Sequence, residues 1–249
     1  IDALWAQLLS ESLDSFAVNP VKPLLFVGHE HSGKTALLRR AGWGLYEDKY
    51  RCSIGTETYH VPLNQVKAPN TFECIVPSPV EVKTSLMNLY VRMAAGVLLC
   101  VSVDSNESAM AGVKYLELMF KKGLFDDEKF VAKRNEKPFI GENIFLIFTK
   151  SDNKPADFDW RDLKRRFEEK VNEAVKPMLF QFTHTFFCSA ANNENIIEMF
   201  RVLQACYFSS PKIGEYFDKI KLNFKSTAFE SETVTADQLP PPITESFGY

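Results

Sequence analysis

One segment constrains this chain more than any other: Gly28-His29-Glu30-His31-Ser32-Gly33-Lys34-Thr35, preceded by Pro23-Leu24-Leu25-Phe26-Val27 and followed by Ala36-Leu37-Leu38-Arg39-Arg40. The apolar run before it has strand character, and the residues after it are good helix formers. A strand that turns through two glycines directly into a helix aims successive backbone N–H groups into one concavity, which suits a phosphate. With G-x-x-x-x-G-K-[ST] spacing, Lys34 reaches the β- and γ-phosphates and the Thr35 hydroxyl ligates Mg²⁺. Strand, loop and helix are the context this motif requires. The segment therefore implies a nucleoside phosphate as ligand.

The bulk of the sequence narrows the alternatives. The 249 residues carry 45% hydrophobic and 24% charged side chains, an ordinary globular balance. A net charge of -3 supplies no basic field for nucleic acid. Cys52, Cys74, Cys100, Cys188 and Cys206 form no C-x-x-C pair, and three of them sit in apolar runs. Buried free thiols in a reducing, cytoplasmic setting are expected. No apolar run approaches the ~20 residues needed to cross a bilayer. The sequence opens on Ile1 without an initiator methionine or signal-peptide pattern, so a start inside a longer chain is expected.

Hydrophobic periodicity organises the rest. Ile1, Leu4, Trp5, Leu8, Leu9, Leu13 and Phe16 recur at helical spacing until Asn19-Pro20. The opposite face carries Asp2, Glu11 and Asp14 and no base, so the helix is expected on the protein body or a partner helix rather than on lipid. Residues 54–63 and 71–76 read as strands joined by a polar turn, 95–103 and 143–149 as buried strands, and 185–188 as a short strand. Helices are expected over 109–122, 160–175 and 194–207; the charged residues between Arg161 and Glu173 form a solvated face. Strands alternating with helices imply an α/β fold with a mostly parallel sheet and helices on both faces. The organisation expected is an N-terminal helix over 1–20, one domain over 21–208, and a largely extended or disordered C-terminal arm over 209–249, which includes Pro240-Pro241-Pro242.

Thr149-Lys150-Ser151-Asp152 directly follows a buried strand, and Ser189-Ala190 follows the next one. With the phosphate loop, these resemble the Ras-like GTPase superfamily, which places Asn-Lys-x-Asp and Ser-Ala here. The resemblance covers about 22–207 and implies a P-loop domain with a six-stranded sheet, binding GTP or GDP with Mg²⁺. It implies nucleotide contacts from Gly28, Glu30, His31, Ser32, Gly33, Lys34, Thr35 and Ala36, and from Lys150, Asp152, Ser189 and Ala190. Asp152 would accept two parallel hydrogen bonds from guanine, a pair adenine lacks. The Lys150 stem would lie along the base. Thr149 stands where the family has Asn, so its bridge to the phosphate loop is expected to be weak or absent. Thr35 is expected on Mg²⁺, joined by Thr56, with Thr58 as the rival. Ser53 to Glu57 is similar to the switch strand of Arf-type proteins, and Asn192 to Phe200 to the last helix of Rab-like and heterotrimeric α-subunit proteins. The opening residues from Ala3 to Glu11 resemble the start of dynein light intermediate chains, leaving the branch open.

The family's Asp-x-x-Gly motif is missing. Aligned on the strand 71–76, its Asp falls at Val76, its Gly at Pro79 and the following catalytic glutamine at Val80. Without the aspartate, water on Mg²⁺ loses an acceptor. Proline has no N–H to sense a γ-phosphate, and valine cannot orient an attacking water. His29 and His31 have no third ligand nearby in sequence and read as loop residues. The expectation is a nucleotide-binding protein-interaction module with little or no hydrolysis and no catalytic residues of its own, working in a larger cytoplasmic assembly. The alternatives are a regulatory GTPase completed by a partner and, less in keeping with the residues, an ATP-dependent kinase.

Overall fold

The structure, a computed structural model, describes residues 22–49, 55–62, 71–126, 128–134, 137–154, 158–176 and 179–208. The chain divides into two compact units, Val18–Val202 and one made of Ile1–Ala17 with Leu203–Tyr249. The expected N-terminal helix and C-terminal arm lie outside the described residues.

Six strands form the main sheet: β1 (Leu24–Gly28), β2 (Glu57–Pro62), β3 (Thr71–Val76), β4 (Gly96–Ser102), β7 (Ile144–Thr149) and β9 (His184–Cys188). Their spatial order is β2-β3-β1-β4-β7-β9. Only β2, at one edge, runs antiparallel to its neighbour; the other pairings are parallel. The continuous apolar sequences of β1, β4 and β7 have the expected cause: every residue in them is buried, because both faces of the sheet are covered.

The helices are α1 (Lys34–Trp43), α2 (Leu86–Met93), α3 (Asn106–Lys121), α4 (Trp160–Ala174) and α5 (Ile196–Phe208). Leu25, Val27, Leu99 and Val101 share one core with Met87 and Val91 of α2, Leu116 of α3 and Phe167 of α4. The intervening strand positions face the other side, where Phe72 meets Phe200 of α5 at 6.0 Å between ring centroids. Gly112 of α3 lets helix and sheet approach; a Cβ there would stand 3.1 Å from Val101 and 3.4 Å from Phe167. The helix begins at Asn106, three residues before the apolar pattern suggested, because the Ser105 hydroxyl caps it by accepting from Ser108 N–H.

Two parts were not read from the sequence. Helix α2 carries Leu86, Leu89 and Met93 partly exposed, which blurs its apolar stripe. A second, small sheet joins β5 (Val131–Arg134), β6 (Lys137–Ile140) and β8 (Leu179–Phe180) in that order. Its strands are too short to announce themselves by alternation.

Parallel pairing puts the C-terminal ends of β1, β3, β4, β7 and β9 along one edge of the sheet. Gly28 registers with Cys100, Ser102 with Thr149, and Thr149 with Cys188. Loops leaving these ends converge where ligands of open α/β sheets bind. No helix among the described residues is long and apolar enough to cross a membrane.

Candidate functional site

A cleft of about 370 Å³ opens at that edge. The loop after β1 supplies Glu30, His31, Ser32 and Gly33, and the start of α1 supplies Lys34, Thr35 and Ala36. The loop after β7 supplies Lys150 and Asp152, and the turn after β9 supplies Ala190. Residues far apart in sequence thus share one wall. Gly28 and Ser189 stand just behind it: Lys34 Nζ donates to the Gly28 carbonyl at 3.0 Å, and Ser189 Oγ donates to Asp152 Oδ1 at 2.5 Å.

The glycines of the loop have separate reasons. A Cβ on Gly28, whose φ is 154°, would lie 2.3 Å from the Cys100 carbonyl oxygen, so the strand end tolerates no side chain. Gly33 has φ 81°, a left-handed turn, and faces Thr149. Gly33 is also the N-cap of α1, and no side chain caps that helix or places an acid in its first turn. By contrast, Ser105 caps α3 and Asp159 caps α4 with hydrogen bonds to the backbone. The start of α1 therefore presents N–H groups and a positive dipole end to the cleft, a combination that favours an anion.

Lys34 is folded over the loop, donating to the carbonyls of Gly28 and His29 (2.7 Å) and to Ser32 Oγ (3.2 Å). Burial pushes its ammonium below the usual lysine range, opposed by the Glu30 and Glu57 carboxylates. A buried ammonium held on carbonyl oxygens is ready to be drawn onto a stronger anion. The three described cysteines are buried and free, as expected; burial raises the Cys100 thiol to about 12 and leaves it inert.

The bridge expected to be weak is present. Thr149 Oγ1 donates to the Ser32 carbonyl at 2.6 Å from a buried position. The correction has a simple cause: Gly33 has no side chain, so the shorter threonine reaches the loop directly. Beyond it, Lys150 takes a left-handed conformation (φ 57°) and pairs with Asp104 at 3.2 Å. Asn153 Nδ2 also donates to Asp104, at 3.0 Å. Ser151 Oγ donates to Glu194. These bonds tie the loops after β4, β7 and β9 together, with exposed Asp152 at the cleft surface.

The opposite wall is less familiar. Val76, Pro77 and Pro79 line it, and Val80 is 72% exposed. Thr56 does not reach the cleft: its hydroxyl meets Glu81 Oε2 at 2.6 Å and the Tyr90 hydroxyl at 2.8 Å. Glu81 Oε2 also accepts from Ser78 N–H and Oγ. Thr58 lies on the exposed face of β2, alternate to the inward-facing Glu57, Tyr59 and Val61. Tyr46 and Arg39 also line the cleft. Neither belonged to a recognised motif, although an aromatic shortly after a phosphate loop was a signal available to a sequence reader.

Among the described residues, no group of three His, Cys, Asp or Glu could hold a metal by itself. Compared with family models and with curated proteins, the chain matches none.

Proposed function

We propose that the cleft holds GDP or GTP with Mg²⁺ in a Ras-like P-loop domain. Its nucleotide serves structure and partner binding rather than rapid turnover, within a cytoplasmic protein assembly. One observation carries the reading: residues 30–36, Lys150, Asp152 and Ala190 share one cleft at the C-terminal edge of a mostly parallel sheet. The phosphates would rest on the uncapped start of α1 beside Lys34 and Thr35. The base would lie toward Lys150, with Asp152 reading its N1–H and N2–H₂ edge. Ser189 would hold that carboxylate in place, and Tyr46 would offer an aromatic face.

Slow hydrolysis follows from the opposite wall. Phosphoryl transfer depends on positioning and electrostatic stabilisation. Pro79 has no N–H to offer a γ-phosphate, and Val80 has no group to orient water. Denaturing the purified protein and separating the released small molecules should yield a guanine nucleotide. Steady-state phosphate release from GTP should be at or below ~10⁻⁴ s⁻¹, the unaided Ras-type rate. Release of an adenine nucleotide would overturn the assignment of the base. Turnover above about 10⁻² s⁻¹ would favour a regulatory switch.

A further inference from the structure

The carboxylate missing from the end of β3 has a counterpart on the neighbouring strand. Glu57 opens β2 and registers directly across from Val76 in the antiparallel β2–β3 pair. Directly opposed residues project from the same face with Cβ atoms about 4.5–5.5 Å apart. Val76 and Thr35 line the cleft, and Glu57 stands behind them from one strand further out, with a side chain one methylene longer than aspartate. Its Oε2 lies 3.4 Å from Thr35 Oγ1 and accepts from the Tyr59 hydroxyl at 2.6 Å.

The two distances differ in meaning. The Tyr59 bond is short and fixes the carboxylate. The Thr35 separation is long for a hydroxyl on a carboxylate, where about 2.5–2.7 Å is usual. Thr35 and Glu57 therefore face one another across a long, weak hydrogen bond. One is a neutral oxygen at the start of α1 and the other an anionic oxygen. Mg²⁺ takes such a set: one or two carboxylate or hydroxyl ligands from protein, with phosphate oxygens and water completing the octahedron. A carboxylate here without a cation would instead repel a bound phosphate.

We propose that Thr35 and Glu57 form the protein half of a Mg²⁺ site, with Glu57 supplying from β2 the negative charge that Val76 cannot supply from β3. Tyr59 is a positioning residue for that carboxylate. The inference rests on the nucleotide reading above, and the two fail in distinguishable ways.

The test is GDP affinity of the full chain by calorimetry, in EDTA and in Mg²⁺, for wild type and Glu57→Gln. Wild type should bind more tightly in Mg²⁺. Glu57→Gln should lose about 10-fold or more of that gain, while binding GDP in EDTA at least as well as wild type because a repelling charge has gone. A merely structural role for Glu57 would weaken binding equally in both buffers, and that result overturns the proposal. An undiminished Mg²⁺ gain in the variant, or no Mg²⁺ gain in wild type, also overturns it while leaving the nucleotide reading intact. No GDP binding in either buffer overturns both. Tyr59→Phe, which keeps the charge and removes its anchor, should retain part of the Mg²⁺ gain; a complete loss of GDP binding in EDTA by this variant would assign Tyr59 and Glu57 to the fold instead.

Discussion

The two walls of the cleft are built on opposite plans. On the α1 side the helix start has no side-chain cap, Lys34 lines the cleft while folded onto its own loop, and Asp152 is exposed. On the β2–β3 side the polar groups point at one another. Glu81 Oε2 gathers Thr56 Oγ1, Ser78 N–H and Ser78 Oγ, and prolines take the positions that face the cleft. The first wall offers the groups that the proposed nucleotide would use. Around Glu81 the second is closed on itself, and Pro79 has no N–H with which to register a terminal phosphate. On the proposed reading, holding and sensing are separable, and the groups present are those for holding.

The comparison breaks most easily at Lys34. If nucleotide is present at ~100 times its dissociation constant, binding contributes about 2.7 kcal/mol. Lys34→Ala should lower the melting temperature of nucleotide-loaded protein by about 5–10 °C. Stripped protein should melt almost unchanged, since the ammonium is buried at a cost and bonded only to its own loop. Equal melting of variant and wild type in both preparations would mean the first wall holds nothing.

A smaller effect is expected at Asp152. Replacing the carboxylate by an amide in Asp152→Asn removes one charge-assisted acceptor and should weaken GDP by about 1.5–3 kcal/mol. Affinity for xanthosine diphosphate, which has a carbonyl where guanine has its amino group, should rise. Competition binding measures both. Parallel weakening of the two ligands would place the base elsewhere.

The smallest effect concerns the closed wall. The Thr56 hydrogen bond, and then that from Ser78 N–H, lower the Glu81 carboxyl below its ordinary value. A folded-state pKa below the unfolded one, near 4.3, stabilises the protein above that value. The contribution is lost as pH falls through the folded pKa. Wild type should therefore lose melting temperature more steeply than Glu81→Gln as pH drops below about 4.3. Identical acid limbs would show that Glu81 does not hold this wall.

What could be read from the sequence follows the same division. The loop, Lys150-Ser151-Asp152 and Ser189-Ala190 announce themselves because each is a short run fixed by local backbone chemistry after a buried strand. The buried central strands followed from the apolar runs at 95–103 and 143–149, whereas the order of the strands and the second, small sheet did not. The bridge from Thr149 did not follow either, because its length depends on how closely Gly33 packs against Thr149 in the folded chain. Thr56 read as a ligand because neighbours in sequence say nothing of Glu81 and Tyr90, which reach it across the fold. Glu57 was invisible for a related reason: its place opposite Val76 exists only once β2 and β3 pair.

Calorimetry of the stripped chain with GDP, GTP and ADP tests the central claim most directly, because one series reads both walls. A holding wall with guanine recognition predicts tight GDP binding and ADP weaker by about 100-fold or more. A second wall that does not sense the terminal phosphate predicts GTP affinity close to that of GDP, with the same heat. Equal binding of ADP and GDP, or no binding at all, would contradict the account of the first wall; a large gain for GTP over GDP would contradict the account of the second.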